Sequence, residues 1–247
     1  MQYSLNLAFE NGCVAQVIQI QDDADLLTAL GEMGFLENRP VLVVIGGASL
    51  LNEEDFTRLQ QLFVEVLVPI ANTVGCFVID GGTDAGVMRL MGSAREKTGL
   101  AFPLIGVSPV GLVQLPNIPN PASGATPLEP HHTHFILVPG DKWGDESPWL
   151  AKIASHLAGS KPSVTILING GAIALVDAQE NLKVGRPIVA IAGSGRLADE
   201  IAAAIRHPEQ EKREQISLLL QEGELMVFDM SEPLSQLENV LRQKLSG

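Results

Sequence analysis

The residues best suited to bind an anion lie at Gly81-Gly82-Thr83. They follow an apolar run at 76–79 that predicts a buried strand, and they precede a run at 87–95 that predicts a helix. A glycine turn between a strand and a helix leaves the backbone N–H groups of the helix N-terminus available to a phosphate. Thr83 adds a hydroxyl that can cap the helix or donate to a phosphate oxygen. The alternative is a tight turn that binds nothing.

Similar glycine turns follow three other apolar runs, at 41–45, 164–168 and 187–191. Glycine lets a backbone approach a ligand closely, because it has no Cβ. The carboxyl ends of parallel strands share one edge of a sheet, and open α/β sheets bind ligands at that edge. We therefore expect the turns to line one binding site. These further turns are Gly46-Gly47, Gly170-Gly171 and Gly193-Ser194-Gly195.

Charged side chains flank two of the turns. Arg196 follows the last turn, where its guanidinium can donate two hydrogen bonds to a phosphate; the alternative is a surface arginine paired with Asp199 or Glu200. Asp80 and Asp84 flank the first turn. Either they bind Mg²⁺ beside a phosphate, or Asp84 caps the following helix. We favour the cap, so no metal ligands are assigned, and Mg²⁺ is kept as a candidate cofactor.

Three histidines, His131, His132 and His134, stand beside Glu129 at the start of an apolar run. A metal site is one interpretation, but no cysteine or carboxylate set with metal-ligand spacing accompanies them. Histidine titrates near physiological pH and is therefore suited to general acid or base catalysis. We assign that role to His134 in an enzymatic alternative.

Alternating strands and helices must position these turns. Continuous apolar strands between helices predict an α/β fold, a mostly parallel sheet with helices on both faces. A long segment at 108–130 has no periodicity and is typical of a functional loop. The predicted strands are 14–20, 41–45, 76–79, 102–107, 133–138, 164–168, 187–191 and 223–228. The predicted helices are 22–33, 53–71, 87–99, 146–158, 172–184, 197–206, 209–222 and 231–245.

Composition limits the classes of partner. With 247 residues, 46% of them hydrophobic, the chain can form one large α/β domain, and no linker divides it. The net charge of −13 opposes general binding to nucleic acid or to an anionic membrane. No apolar run approaches the ~20 residues of a membrane span, and no signal peptide is visible. Two distant cysteines predict neither a disulfide framework nor a zinc site, so we expect a cytoplasmic protein.

Three motifs together resemble one family. They are Gly-Gly-Thr-Asp-Ala-Gly-Val-Met at 81–88, His-Thr-His-Phe-Ile-Leu-Val at 132–138 and Gly-Ser-Gly-Arg-Leu-Ala-Asp at 193–199. In this order they look like the SLOG superfamily, and within it the LSDAT branch, which comprises the N-terminal homology region of melastatin-type TRP channels and its prokaryotic relatives. The likeness runs from about 41 to about 205, which leaves 1–38 and 208–247 as less typical flanking elements of a single domain, 1–247.

The resemblance implies a Rossmann-like fold that binds a nucleotide-derived ligand, such as ADP-ribose or another NAD-derived or adenine nucleotide. It places the ligand phosphates at Gly81-Gly82-Thr83 and makes Arg196 a ligand contact. Trp143 stands where the channels tend to have tyrosine, so it is expected to stack on a base or ribose. On the following helix this chain has Leu150 near a position where ADP-ribose-binding relatives have arginine. The family also implies a homodimer.

A second branch of the superfamily, the cytokinin-activating phosphoribohydrolases, has a Pro-Gly-Gly-x-Gly-Thr loop followed by a catalytic glutamate. Here the corresponding segment begins Asn169-Gly170-Gly171, lacks the Gly-Thr pair, and has Asp177 where the glutamate would stand. A shorter carboxylate needs a displaced backbone to act, so we rank this activity below binding.

The sequence therefore predicts a nucleotide sensor or receptor domain. The alternative is a nucleotide hydrolase that uses Asp177 and His134. A third interpretation is an assembly module in which the leucine-rich helix at 231–245 forms a dimer face.

Overall fold

A computed structural model describes residues 3–47, 53–116, 124–210 and 213–246. Over these ranges the chain forms one sheet of nine strands, covered by helices on both faces, and a separate pair of short strands. Within them, no helix has both the length and the apolar character that crossing a membrane requires.

The large sheet has the strand order β1-β2-β8-β5-β4-β3-β9-β10-β11, and every neighbouring pair is parallel except β1 and β2. The two-stranded sheet joins β6 to β7. The strands are β1 Tyr3–Ala8, β2 Val14–Gln19, β3 Val41–Gly46, β4 Phe77–Asp80, β5 Leu104–Pro109, β6 Val113–Gln114, β7 Thr126–Pro127, β8 His134–Val138, β9 Ser163–Ile168, β10 Ile188–Ala192 and β11 Leu225–Asp229.

The helices alternate with the strands, as the sequence predicts. They are α1 Asp23–Glu32, α2 Glu53–Leu62, α3 Val68–Val74, α4 Gly86–Thr98, α5 Ser147–Ala158, α6 Ala172–Lys183, α7 Arg196–Arg206, α8 Glu214–Glu222 and α9 Leu234–Ser246. A π-helical turn, Phe63–Leu67, joins α2 to α3, and a 3₁₀ turn, Pro208–Gln210, follows α7.

The central strand β3 contributes to the core on both faces of the sheet, and the strand order reverses beside it. Its side chains alternate between the two faces of the sheet. Val41, Val43 and Ile45 pack with α1, α5, α6, α7 and α8, whereas Leu42 and Val44 pack with α2, α3, α4 and α9. The chain runs from β3 toward β4 in one direction and later returns to β9 on the other side. Such a reversal opens a crevice at the carboxyl ends of the strands.

Four structural features differ from the sequence predictions. An additional strand, β1, pairs with β2, and two short strands occupy the ends of the loop at 108–130, whose residues 117–123 lie outside the described chain. The helix predicted at 53–71 contains the π-helical turn. The segment predicted as a helix at 209–222 begins with the 3₁₀ turn, and α8 starts only at Glu214.

A further difference concerns α9, which the third interpretation made a dimer face. Leu237, Leu241 and Leu245 are fully buried against the sheet and its neighbouring helices within this chain. The leucine face is therefore part of the core and is not available to a second copy.

Candidate functional site

A cavity of about 440 Å³ opens at the carboxyl ends of β4, β3 and β9, where the strand order reverses. The turns after these strands form its floor, and the first residues of α4, α5, α6 and α7 form its walls. Its lining includes Val44, Ile45, Gly46, Gly47, Gly81, Thr83, Ala85, Met88, Thr126, Trp143, Glu146, Leu150, Gly170, Gly171, Ala172, Ile173, Ala174, Asp177 and Arg196. This volume is within the range typical of small-molecule sites.

Most of the residues that the sequence singled out meet in this cavity. They come from four separate strand–helix connections and from helices α6 and α7, so the sheet topology brings them together. Those found in the lining are Gly47, Gly81, Thr83, Trp143, Gly170, Gly171, Asp177 and Arg196.

The turn after β10 supports the cavity without lining it. The Ser194 hydroxyl is buried; it accepts from Asn169 N–H at 2.7 Å and donates to the Ile191 carbonyl at 2.6 Å. Gly193 N–H donates to Asp199 at 2.6 Å. Gly195 has φ +94°, and a Cβ there would lie 3.0 Å from Nδ2 of the Asn169 side chain. These three residues are not among those that line the cavity, and the Ser194 hydroxyl joins this turn to the turn after β9. That Gly193, Ser194 and Gly195 cradle a phosphate stays a prediction.

Gly82 also lies outside the lining. It has φ +68°, and a Cβ on it would lie 2.7 Å from the Gly106 Cα and 3.1 Å from the Phe135 ring. Its N–H donates to Asp80, and its carbonyl accepts from Glu129 N–H. Glycine is required here for close packing against strand β5, which is a structural reason and not a contact with the cavity.

His134 is placed away from the cavity. It is the first residue of β8, at the amino edge of the sheet, whereas the cavity lies at the carboxyl edge. Its ring packs 4.6 Å from that of Phe35 and shares a hydrogen bond with Thr133. Burial, together with the charge of Arg95, lowers the pKa of His134 to about 4. His134 therefore does not share a site with Asp177, and a joint catalytic role for the two is wrong on geometry.

One end of the cavity is suited to an anion. Helix α6 begins after Gly171, and in the described chain no side chain caps this helix end. The Arg196 guanidinium lies against Gly171, since a Cβ there would be 2.5 Å from Nη2. Arg196 itself has φ +51°, an uncommon conformation that directs this side chain from the start of α7. Helix N–H groups and a guanidinium are the donors that phosphate groups require.

Two acidic side chains, Glu146 and Asp177, also line the cavity. Asp177 accepts a 2.6 Å hydrogen bond from the Ser147 hydroxyl, and Glu146 accepts one of 2.7 Å from Gly144 N–H. Burial raises the pKa of Asp177 to about 7, and the neighbouring Glu146 charge adds to this, although the bond from Ser147 opposes it. Burial likewise raises the pKa of Glu146. The sequence identified Asp177 only through the family resemblance, and it did not identify Glu146.

Two of the histidines, His131 and His132, form a hydrogen-bonded network with Glu129 and Asp80 beside the Gly81-Gly82 turn. His132 bonds Asp80 through Nε2 at 2.9 Å and Glu129 through Nδ1 at 2.8 Å. Burial alone would lower the pKa of His132, but the charges and hydrogen bonds of the two carboxylates raise it to about 9. His131 extends this hydrogen-bond network through a 2.6 Å bond between its Nδ1 and Glu129. These groups hold the loop before β8 against the turn after β4.

The hydrogen bonds of Asp80 and Asp84 bear on the two roles considered for them. Asp80 is buried and bonds His132, and Asp84 bonds Arg89 at 2.6 Å, so neither the Mg²⁺ pair nor the Asp84 helix cap is present. Within the described residues, no three histidine, cysteine or carboxylate groups are arranged to hold a metal ion.

The fold and the cavity together define the class of protein: an α/β protein with a small-molecule-sized crevice at the switch point of a mostly parallel sheet. The family model described as "SLOG in TRPM, prokaryote" matches residues 39–238. The chain belongs to this family, and the match extends past the interval that contains the three motifs.

Similar proteins agree with this assignment. The chain is 29% identical over 204 residues to the transient receptor potential cation channel subfamily M member-like 2 of Nematostella vectensis, covering 68% of this chain and 13% of the relative. It is 28% identical over 231 residues to subfamily M member 2 of Mus musculus, covering 79% of this chain and 15% of the relative. The chain thus spans about a seventh of the length of these channels.

A solved structure supports the fold. The X-ray structure of the structural-genomics target TM1055 superposes with a TM-score of 0.56 over 83% of this chain and 99% of that one, at 17% sequence identity. The predicted Rossmann-like fold, mostly parallel with helices on both faces, is confirmed.

Proposed function

We propose that the cavity binds a nucleotide-derived ligand and that the chain works as a sensor or receptor domain. The ligand class is ADP-ribose or another NAD-derived or adenine nucleotide. The observation that carries this proposal is the Arg196 guanidinium lying against Gly171 at the uncapped N-terminus of α6. A phosphate bound there would accept from backbone N–H groups and from the guanidinium together.

The remaining lining suits the other parts of a nucleotide. Thr83 is buried at the cavity wall and offers a hydroxyl. Trp143 and Ile173 are partly exposed, by 40% and 37%, and both line the cavity; apolar surface of this kind favours stacking on a base. Leu150 is buried in the same wall, so the position near which the resemblance implies an arginine supplies no charge.

The test is to incubate the protein with ADP-ribose, separate bound from free ligand, and resolve both fractions by mass. We expect intact ADP-ribose in the bound fraction. Arg196→Ala should weaken binding at least about tenfold, the loss typical of a charged hydrogen bond. Arg206→Ala is the matched control, because Arg206 is exposed at the far end of the same helix and bonds only Asp229 in the described chain. Equal affinity of wild type and Arg196→Ala for ADP-ribose would show that Arg196 does not contact the ligand.

A nucleotide hydrolase is the second candidate, and it rests on Asp177. A buried carboxyl with a pKa of about 7 can hold a proton near neutral pH and donate it to a leaving base, as general acid catalysis requires. Free base or free phosphate should then accumulate in proportion to the protein added and should not form with Asp177→Asn. Free base would make the protein a phosphoribohydrolase-like N-glycosidase, and free phosphate a phosphohydrolase, in place of a receptor.

We also propose that residues 1–247 form one domain, since β1, β2 and α9 share the sheet and core of the matched region. A homodimer is proposed from the family resemblance; light scattering should give twice the 26.3 kDa chain mass. A cytoplasmic location fits the unpaired Cys13 and Cys76, and fractionation tests it.

A further inference from the structure

A second cavity opens at the amino ends of β3, β4 and β5, at the edge of the sheet opposite to the proposed ligand site. This amino-edge cavity has a volume of about 390 Å³ and lies between the segment that follows α1 and the first residues of β4 and β5. Its lining is largely apolar and includes Met33, Phe35, Phe77 and Pro103. A surface hollow of this kind suits an apolar side chain supplied by a partner.

The two most exposed large apolar side chains of the described residues lie on α1 and on the segment that follows it. Leu36, at the rim of the amino-edge cavity, is 82% exposed, and Leu27, on α1, is 67% exposed. Gly31 lies one helical turn after Leu27 on the same face of α1, and a Cβ added to it would have nothing within 4 Å. Glycine weakens a helix, and no neighbour among the described residues requires it here, whereas close approach of a second molecule would.

Two opposite charges stand at the mouth of the amino-edge cavity. The side-chain amide of Asn38 donates to the carbonyl of His156 at 2.9 Å, which fixes the segment against α5. Glu37 and Arg39, on either side of Asn38, are exposed, and neither forms an ion pair with any of the described residues. The Arg39 guanidinium lies 5.3 Å from the centroid of the Phe77 ring, so one of the two charges is held at the cavity itself.

We propose that this face binds a second copy of the chain across a two-fold axis. In a two-fold contact the same surface is used by both copies, so a projecting side chain beside a hollow fits its own duplicate. Leu36 of one copy enters the amino-edge cavity of the other, and the reverse contact forms at the same time. The same rotation brings Glu37 of each copy against Arg39 of the other, and this charge complementarity selects a second copy over any other apolar partner.

The inference rests on the homodimer of the proposed function and assigns the face that forms it. The proposed ligand cavities lie at the carboxyl edge of each sheet, away from this contact. The dimer therefore forms without ligand, and its test does not depend on whether a nucleotide binds.

The first experiment is sedimentation velocity of the protein without ligand over a series of concentrations. Wild type should reach twice the 26.3 kDa chain mass. Leu36→Asp should raise the dissociation constant at least about a hundredfold, because a buried leucine is lost at two equivalent places. The side chain is exposed within one chain, so the fold should be unaffected. Leu218→Asp is the matched control: Leu218 is 47% exposed on α8, and its replacement should leave the dissociation constant unchanged.

The second experiment reverses the charges. Glu37→Arg and Arg39→Glu each place like charges opposite each other at both ends of the contact, and each should weaken the dimer at least about tenfold. An equimolar mixture of the two variants restores opposite charges in both pairs. Its average mass should therefore exceed that of either variant alone at the same total concentration.

The outcomes separate this face from the proposals on which it rests. A dissociation constant unchanged by Leu36→Asp, or a mixture with no higher mass than its components, would overturn the face and leave the homodimer and the nucleotide site standing. A wild type that stays monomeric throughout the series would overturn the face together with the homodimer. Neither result bears on the binding of ADP-ribose, which is measured separately.

Discussion

The stability of the protein should fall as the pH rises from 5 to 7, and Asp177→Asn should remove a defined part of that fall. Burial and the Glu146 charge raise the pKa of Asp177 from 3.8 to about 7. Between these values the folded chain holds a proton that the unfolded chain releases. The contribution to stability is therefore complete below the unfolded pKa and is lost as the pH rises through the folded pKa.

The magnitude follows from proton linkage. One proton held only by the folded state changes the free energy of unfolding by about 1.4 kcal/mol per pH unit. From pH 5 to 7 the unfolded carboxyl is almost fully ionised, and the folded carboxyl titrates to about half. The interval therefore carries roughly 2 kcal/mol from this one group.

The assay is urea unfolding of wild type and Asp177→Asn at pH 5 and pH 7. Asparagine is nearly the same size and keeps an oxygen for the Ser147 hydroxyl, so the variant should fold. Every other titrating group is present in both proteins, so the pH dependence of all of them except Glu146, whose charge is coupled to Asp177, cancels in the difference between the two proteins. The wild type should lose roughly 2 kcal/mol more than the variant. Equal losses would refute the assignment of a raised pKa to this carboxyl.

Two further predictions concern the support of the site. Gly82→Ala should destabilise the fold by more than about 3 kcal/mol, because a positive φ and a collision with strand β5 add together. Gly99→Ala, with φ +65° and nothing within 4 Å, should lose only about 1–2 kcal/mol; similar losses at both positions in urea titrations would contradict the packing argument. His132→Gln should lose about 3–5 kcal/mol at pH 7, since it leaves buried carboxylates unpaired. That loss should shrink above pH 9, where wild-type His132 releases its proton; an equal loss at both pH values would show that charge is irrelevant.

The parallel sheet could be predicted because its strands carry local signals. Runs such as 41–45 and 164–168 are apolar throughout, which is typical of strands buried on both faces, and a glycine turn ends each. The edge strand β1 has a weaker signal, the alternation of Leu5, Leu7 and Phe9, two of which are buried beside β8. The turn at 9–13 that joins it to β2 does contain a hairpin signal, Asn11-Gly12, and Gly12 has φ +85°, so this pairing could have been predicted from the sequence.

The site could be predicted as a set of turns, but the role of each side chain could not. Ser194 and Arg196 belong to one motif, yet the Ser194 hydroxyl is used by Asn169, 25 residues earlier, and Arg196 reaches the cavity. Glu146 is the N-cap residue of helix α5, and an acidic residue is ordinary near a helix N-terminus. Only the packing of α5 on α6 places it beside Asp177. Such long-range pairings have no local pattern.

The bonds between the turns after β9 and β10 have a consequence for hydrogen exchange. Asn169 N–H donates to Ser194, and the first amides of α7, Leu197 and Ala198, donate to the carbonyls of Gly170 and Asn169. Amides that share one cooperative opening have the same free energy of opening and therefore the same protection factor against exchange. Amides from two distant parts of the sequence should therefore show equal protection. A ligand that holds Arg196 in place would slow them as a group, which gives a residue-resolved report of occupancy without any label on the ligand.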